Sequence, residues 1–134
     1  MSNYLEYRYV EDGPNIPDIP IVQILLSVKG RKQGIQGPAL VDTGFDRGLY
    51  ANLIIAKHLK GERPAAEEAL EAPGHIINCE IFKMECRLTD QERSIDLGEV
   101  SVHVPTNPED LTEEALIGRT LINQLEITLN GRTL

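Results

Sequence analysis

The sequence predicts an all-β domain with one or two short helices. Three observations lead to this prediction: the apolar segments are short, several alternate apolar with polar residues, and glycine or proline separates most of them. Many short strands joined by frequent turns are typical of β-barrels and β-sandwiches. The length of 134 residues suits one domain. We therefore expect an N-terminal arm, residues 1–20, followed by a single domain, residues 21–134.

The first half of the chain shows two strands and then a helix. The proline-rich lead-in is followed by IVQILLSVKG (21–30), a short apolar run that predicts a buried strand. RKQGIQG is typical of a turn, and PALVD (38–42) predicts the second strand. The segment LYANLIIAKHLKG favours a short helix that ends at Gly61.

The second half begins with a hairpin whose turn is Pro73-Gly74. In its returning strand the apolar side changes, from positions 77, 79 and 81 to positions 82, 84, 86 and 88. This change indicates either a β-bulge or a ribbon that starts over a cleft and ends in the core. IDLGEVSVHVP then predicts an alternating strand, and TNPEDLTEE a polar loop. ALIG predicts a short strand, RTLINQL a helix of one to two turns, and EITLNGRTL two short strands joined by an Asn-Gly turn.

Composition and charge exclude several classes of function. The net charge of −8 repels phosphate backbones, so no nucleic-acid partner is expected. No apolar run approaches the roughly 18 residues of a membrane span, and the N-terminus lacks the apolar region of a signal peptide. The expected location is the cytoplasm, where Cys79 and Cys86 stay thiols. The three histidines are scattered, so neither a metal site nor a cofactor is expected.

The stretch ALVDTGFDRGLY (39–50) suggests chemistry, because an apolar strand leads directly to Asp42 and then to glycine. A strand end followed by glycine brings a carboxylate and backbone N–H groups together in the open, where another molecule can approach closely. Two carboxylates about 3 Å apart cannot both be ionised, so they share one proton. One can then act as the base towards a water, while the other donates a hydrogen bond to a carbonyl group.

ALVDTG resembles the active-site segment of the aspartic proteases, and ALIGRTLINQLEITLNG (115–131) resembles the closing segment of the retroviral-type proteases. The two segments occur in the order found in that family, with a hairpin of flap size between them. The resemblance covers about residues 20–131. The phenylalanine in VDTGFD is most similar to a prokaryotic branch of single-domain proteases.

The resemblance implies a closed or nearly closed retropepsin-like β-barrel and an aspartic endopeptidase active as a homodimer. Asp42 of each subunit would be catalytic, and peptides or proteins would be the substrates. The Thr43 hydroxyl would hold the two loops together across the dimer axis, although it could also be an ordinary turn hydroxyl. Gly44 would let the substrate backbone pass, although it could serve turn geometry alone.

The resemblance also implies supporting roles. Asp46 and Arg119 would form an internal ion pair behind the site, and Gly118 would let the ALI strand pass tightly beside the Asp42 turn. The tip of the hairpin would be a flap that closes over substrate, or else a plain turn. The flap candidates are Ala72, Pro73, Gly74 and His75.

The sequence also departs from the retroviral pattern. Phe45 stands where that family has alanine or serine, so its ring either narrows a substrate pocket or fills the core. The flap candidate has a single glycine. The alternative function is a dimeric binding or scaffold domain of the same fold with little or no proteolytic activity; a third is hydrolysis of a non-peptide amide. The intact Asp42, Thr43 and Gly44 favour the protease, because nothing structural requires that carboxylate.

Overall fold

The computed structural model describes residues 5–90 and 92–130. The strands are β1 (Ile21–Ser27), β2 (Ile35–Val41), β3 (Leu49–Tyr50), β4 (Ala66–Ala72), β5 (His75–Thr89), β6 (Ser94–Pro105) and β7 (Ala115–Ile117). The helices are α1 (Leu53–His58), α2 (Arg119–Ile122) and a short 3-10 helix (Pro108–Asp110). No helix within these described ranges is long and apolar enough to cross a membrane.

The seven strands form one sheet that closes on itself. Their order is β1-β2-β7-β3-β6-β5-β4, and a further pairing between β1 and β5 joins the sheet into a barrel of six strands. β4 remains outside this ring and pairs with β5 as a hairpin. The predicted all-β closed barrel with two short α-helices is therefore confirmed.

Alternating apolar side chains fill the barrel. They include Leu26, Leu49, Met84, Val102 and Ile117, each at most 1% exposed. Burial of a large aliphatic side chain contributes roughly 1.5–3 kcal/mol, so this core holds the strand ends in place. Asp42 and Gly118 follow directly after two of these strands, β2 and β7.

The short helices begin and end where local chemistry requires it. The Asn52 side chain accepts a hydrogen bond of 3.1 Å from the Ile55 N–H and so caps α1. The chain turns away at Gly61, which has a φ of +90°. Both predicted helices are present. The predicted turn RKQGIQG is shorter than expected, because its last three residues (35–37) pair with β1 as part of β2.

The change of phase in β5 has a clear cause. Cys79 is buried, and from Phe82 onwards every second residue is buried. The register with β6 is continuous through this point and shifts only between Cys86 and Arg87. There is no bulge at the change. β5 begins in the hairpin with β4 and ends in the barrel beside β1, so the part of the second alternative that places its end in the core is confirmed.

The lead-in segment lies against the barrel. Val10 and Ile19 pair through backbone hydrogen bonds of 2.8 and 2.9 Å. The Tyr7 hydroxyl donates to the carbonyl oxygen of Thr89 at 2.6 Å, and burial raises the pKa of this hydroxyl to about 12. The division into an arm and a domain stays a prediction. The strand predicted at the start of EITLNGRTL is not formed, because residues 126–130 have no regular secondary structure, and residues 131–134 of the predicted last turn and strand lie outside the described residues.

Candidate active site

Two parallel strands place Asp42. β2 and β7 are far apart in the sequence but pair with Ala39 opposite Ala115 and Val41 opposite Ile117. The two alanines are fully buried, so the strands are anchored in the core. The N–H of Asp42 continues the ladder by donating to the Ile117 carbonyl oxygen at 3.0 Å. The Asp42 backbone is thereby fixed at the point where its strand ends.

Residues 42–48, called here the Asp42 loop, turn immediately after the strand. The Gly44 N–H donates to Oδ1 of Asp42 at 2.9 Å, and the Phe45 N–H donates to the Asp42 carbonyl oxygen at 3.2 Å. Thr43 and Gly44 are exposed, whereas Asp42 is half-buried. A Cβ on Gly44 would lie 3.2 Å from Oδ1, so glycine keeps the space beside the carboxylate open. A reacting molecule could approach the carboxylate there.

The Asp42 loop crosses the start of α2 at very short range. The Gly118 N–H donates to the Gly48 carbonyl oxygen at 2.7 Å, and the Arg119 N–H donates to that of Phe45 at 2.8 Å. A Cβ on Gly118 would overlap the Arg47 carbonyl oxygen and lie 2.6 Å from Cδ2 of Phe45. Position 118 therefore requires glycine because the Asp42 loop passes so close. Backbone conformation is not the reason, because a φ of −102° is open to any residue.

Phe45 packs towards the interior of the molecule. Its ring lies edge-on to Tyr50 at 5.9 Å between centroids and edge-on to His103 at 6.2 Å, and both of those residues are buried. Such T-shaped pairs contribute roughly 0.5–1.5 kcal/mol beyond the area they bury. Of the two alternatives left by the sequence, these contacts favour the ring as filling of the core beneath the loop.

The expected ion pair between Asp46 and Arg119 is not formed among the described residues, which corrects that prediction. The Asp46 carboxylate instead lies 3.0 Å from Nη1 of Arg47. Arg119 is exposed at the start of α2 and holds the loop through its backbone N–H. Arg47 is the next residue in the same loop, and its side chain contacts the Asp46 carboxylate directly. Because the Asp46 side chain is 56% exposed, this pair contributes little to stability.

Three residues that the sequence did not single out form a polar cluster behind the loop. Oε1 of Glu68, in β4, lies 2.8 Å from Nε of Arg47 and 2.8 Å from Nε2 of His103. The hydrogen bond from Arg47, followed by that from His103, lowers the pKa of Glu68. The bond to Glu68 in turn raises the pKa of Arg47. The Glu68–Arg47 pair therefore stays ionised over a wide range of pH.

One sequence signal could have indicated this cluster. In the alternating strand β6, His103 is on the side opposite the valines, together with Ser101, yet it is 2% exposed. A histidine in such a strand requires a partner if it is covered. The partner could not be deduced, because β5 lies between β4 and β6 in the sheet.

The hairpin tip contains the four flap candidates. Ala72 pairs with His75 across the turn, and Gly74 has a φ of +86°, which glycine adopts without strain. Nε2 of His75 lies 3.6 Å from Oδ1 of Asp110 in the 3-10 helix. Beside the tip, Ile76 is 63% exposed. The hairpin therefore ends in an exposed apolar residue and one polar contact to a neighbouring loop.

The fold and the loop define a closed all-β barrel with one exposed Asp-Thr-Gly turn at a strand end. Among solved structures, the chain is similar to the EIAV protease complexed with the inhibitor HBY-793. The similarity covers 87% of this chain and 99% of that chain, with a TM-score of 0.47 and 16% identity. No family model and no curated protein matches the sequence. The resemblance to a prokaryotic branch of single-domain proteases stays a prediction.

Proposed function

We propose that the protein is an aspartic endopeptidase that acts as a homodimer, with one Asp42 from each subunit in a shared pair. One observation supports this most strongly. The two motif segments of the sequence, around Asp42 and Gly118, pair in space as parallel strands and interlock through the bonds from Gly118 and Arg119. An aspartate needs no such framework to cap a turn, whereas a catalytic carboxylate must be held rigidly.

The need for a second copy follows from the number of carboxylates. The sequence contains one Asp-Thr-Gly, and a proton-sharing pair requires two. A two-fold axis beside Asp42 would bring the exposed Thr43 of both copies together. The segment after α2 carries Ile127, 38% exposed, and Leu129, 51% exposed, two residues apart. Burial of these side chains against a second copy would remove apolar surface from water.

The proposed reaction divides the work between the two carboxyl groups. The ionised carboxylate takes a proton from a bound water, and the water oxygen attacks the carbonyl carbon of the scissile peptide bond. The protonated partner donates its proton to the carbonyl oxygen, which gives a tetrahedral diol. One carboxyl group of the pair then protonates the amide nitrogen, and the C–N bond breaks. A hydroxyl group of the diol gives its proton back to the pair as it becomes the new carbonyl group, so the pair again holds one shared proton. The bond from Gly44 N–H to Oδ1 keeps the carboxylate oriented throughout.

Peptides or proteins are the substrates that this arrangement fits. Gly44 leaves room beside the carboxylate for an extended backbone, and the hairpin presents the exposed Ile76 for an apolar contact. In the proposed enzyme, the hairpin tip at residues 72–75 acts as the flap. Cleavage of a peptide library identifies which side chains flank the cleaved bond.

The test is cleavage of an unbiased peptide library by the purified protein between about pH 4 and about pH 7, the range in which a shared proton is available to such a pair. Asp42→Asn should abolish cleavage while leaving the fold intact. Asp12→Asn, which removes the same charge from an exposed position in the arm, is the matched control and should cleave like wild type.

Full activity of Asp42→Asn, or no cleavage of any peptide by wild type, would overturn the proposal. A folded dimer without activity would then support the scaffold function. Turnover of small amides without turnover of peptides would support the third alternative.

A further inference from the structure

Glu68 joins two parts of the molecule that the sheet does not connect directly. It lies on β4, the outer strand of the hairpin, and accepts one hydrogen bond from the Asp42 loop and one from the barrel strand β6. Both bonds measure 2.8 Å and end on the same oxygen, Oε1. Its neighbour Glu67 is exposed on the other face of the strand. The contact is therefore specific to one position of β4.

The burial of His103 determines which of its ring nitrogens donates a proton to Glu68. Nδ1 of His103 is buried and has no hydrogen-bond partner among the described residues. A proton on Nδ1 would be a buried donor without an acceptor, which is costly, whereas an unpaired lone pair there costs less. Of the two neutral tautomers, the one with its proton on Nε2 leaves no buried donor unpaired, and this proton is donated to Glu68.

Both donors are connected to Asp42 by short paths. Arg47 belongs to the Asp42 loop itself. The His103 ring packs against the ring of Phe45. The backbone N–H of Phe45 donates to the Asp42 carbonyl oxygen. A shift of Glu68 would thus release the loop at two places, one at its side and one beneath it.

We propose that Glu68 is a positioning residue that locks the Asp42 loop to the base of the flap hairpin. This inference builds on the proposed function, because it concerns the geometry of the same site. In this view the hairpin does more than cover substrate: its outer strand holds the loop that carries Asp42 in the orientation needed for turnover. Glu68 acts through its contacts with Arg47 and His103.

The first readout is independent of activity. Glu68→Gln should shift the backbone amide NMR signals of Gly44 and Phe45. The glutamine side chain has one carbonyl oxygen and an NH₂ group, which is a donor and cannot accept the hydrogen bonds from Arg47 and His103. Glu67→Gln, the adjacent exposed substitution, should leave these signals in place. Arg47→Gln removes the bond to Glu68 at the side of the loop together with the contact to Asp46, and it should shift the same signals. If Gly44 and Phe45 do not respond to Glu68→Gln, the inference is overturned whatever the kinetics show.

The second readout separates positioning from general stability. A displaced catalytic group lowers kcat, so Glu68→Gln should reduce kcat by about ten- to a hundredfold and leave KM within about twofold. Glu67→Gln should match wild type in both constants. Amide shifts with an unchanged kcat would also overturn the inference. If wild type cleaves nothing, the proposed function fails, and the amide signals alone decide whether Glu68 positions the loop.

Discussion

The backbone N–H of Arg119 donates to the carbonyl oxygen of Phe45 over 2.8 Å, so the first residue of α2 is tied directly to the loop that follows Asp42. Gly118, one residue earlier, fits between them only because it has no side chain. The loop and the helix thus form one unit, and the first prediction concerns the glycine that makes their contact possible.

Gly118→Ala should destabilise the fold and lower activity. The added methyl group would overlap the Arg47 carbonyl oxygen and the Phe45 ring, and forced overpacking costs typically 1–3 kcal/mol. Urea denaturation measures the loss. Gly37→Ala, in β2, is the control: nothing lies within 4 Å of its added Cβ, so its stability should stay close to that of wild type. Equal stability of the two variants would contradict the described crossing.

Activity should fall on both sides of an optimum pH. The working pair holds one proton: loss of that proton removes the acid, and addition of a second removes the base. Initial rates with one cleaved peptide, measured across the pH range, give the profile. A statine-like hydroxyl inhibitor, which mimics the hydrated carbonyl, should bind wild type and Asp12→Asn but not Asp42→Asn. A rate that rises steadily with pH would be incompatible with the shared proton.

Leu129→Asp should weaken the dimer. Leu129 is half-exposed in the single chain, and a charge placed where the proposed dimer would bury apolar surface removes that gain and adds a cost of desolvation. The dissociation constant, from sedimentation, should rise at least about tenfold, which corresponds to about 1.4 kcal/mol. Leu53→Asp at the start of α1 changes an equally exposed leucine and should leave association unchanged. If the protein is a monomer and its peptidase activity is proportional to its concentration, the dimeric mechanism is excluded.

Stability should fall as the pH drops below the ordinary histidine value of 6.5, partly because of His58. Burial, followed by the nearby Arg31, lowers the pKa of His58, and its Nε2 is buried without a partner among the described residues. The unfolded chain therefore binds a proton that the folded chain refuses, so stability is lost from pH 6.5 down to the lowered pKa and then levels off.

Thermal unfolding between about pH 7.5 and about pH 5 measures this effect. His58→Gln should lose less stability over the interval than wild type does. Parallel curves for wild type and His58→Gln would show that His58 does not contribute.

Local patterns predicted most of the fold. The valines of β6 alternate because one face of that strand lies in the core, and the chain turns away after α1 at Gly61, which has a positive φ. The closing pair β1–β5 could not be deduced, since it joins segments whose register depends on the whole barrel. Similarly, the motif located Asp42 and its turn, but the choice of Arg47 over Arg119 as the partner of Asp46 depends on side-chain direction, which spacing does not encode.

The outer position of β4 has a consequence for association. Among the described residues this strand pairs with β5 alone, and a free strand edge is a template onto which another chain can add and aggregate. Glu67 and Glu71 project as exposed carboxylates along β4, so two copies that met through this edge would bring like charges together. Such repulsion opposes fibre-like growth through the hairpins, and in the proposed dimer the two copies meet instead through the surface around the Asp42 loop and Leu129.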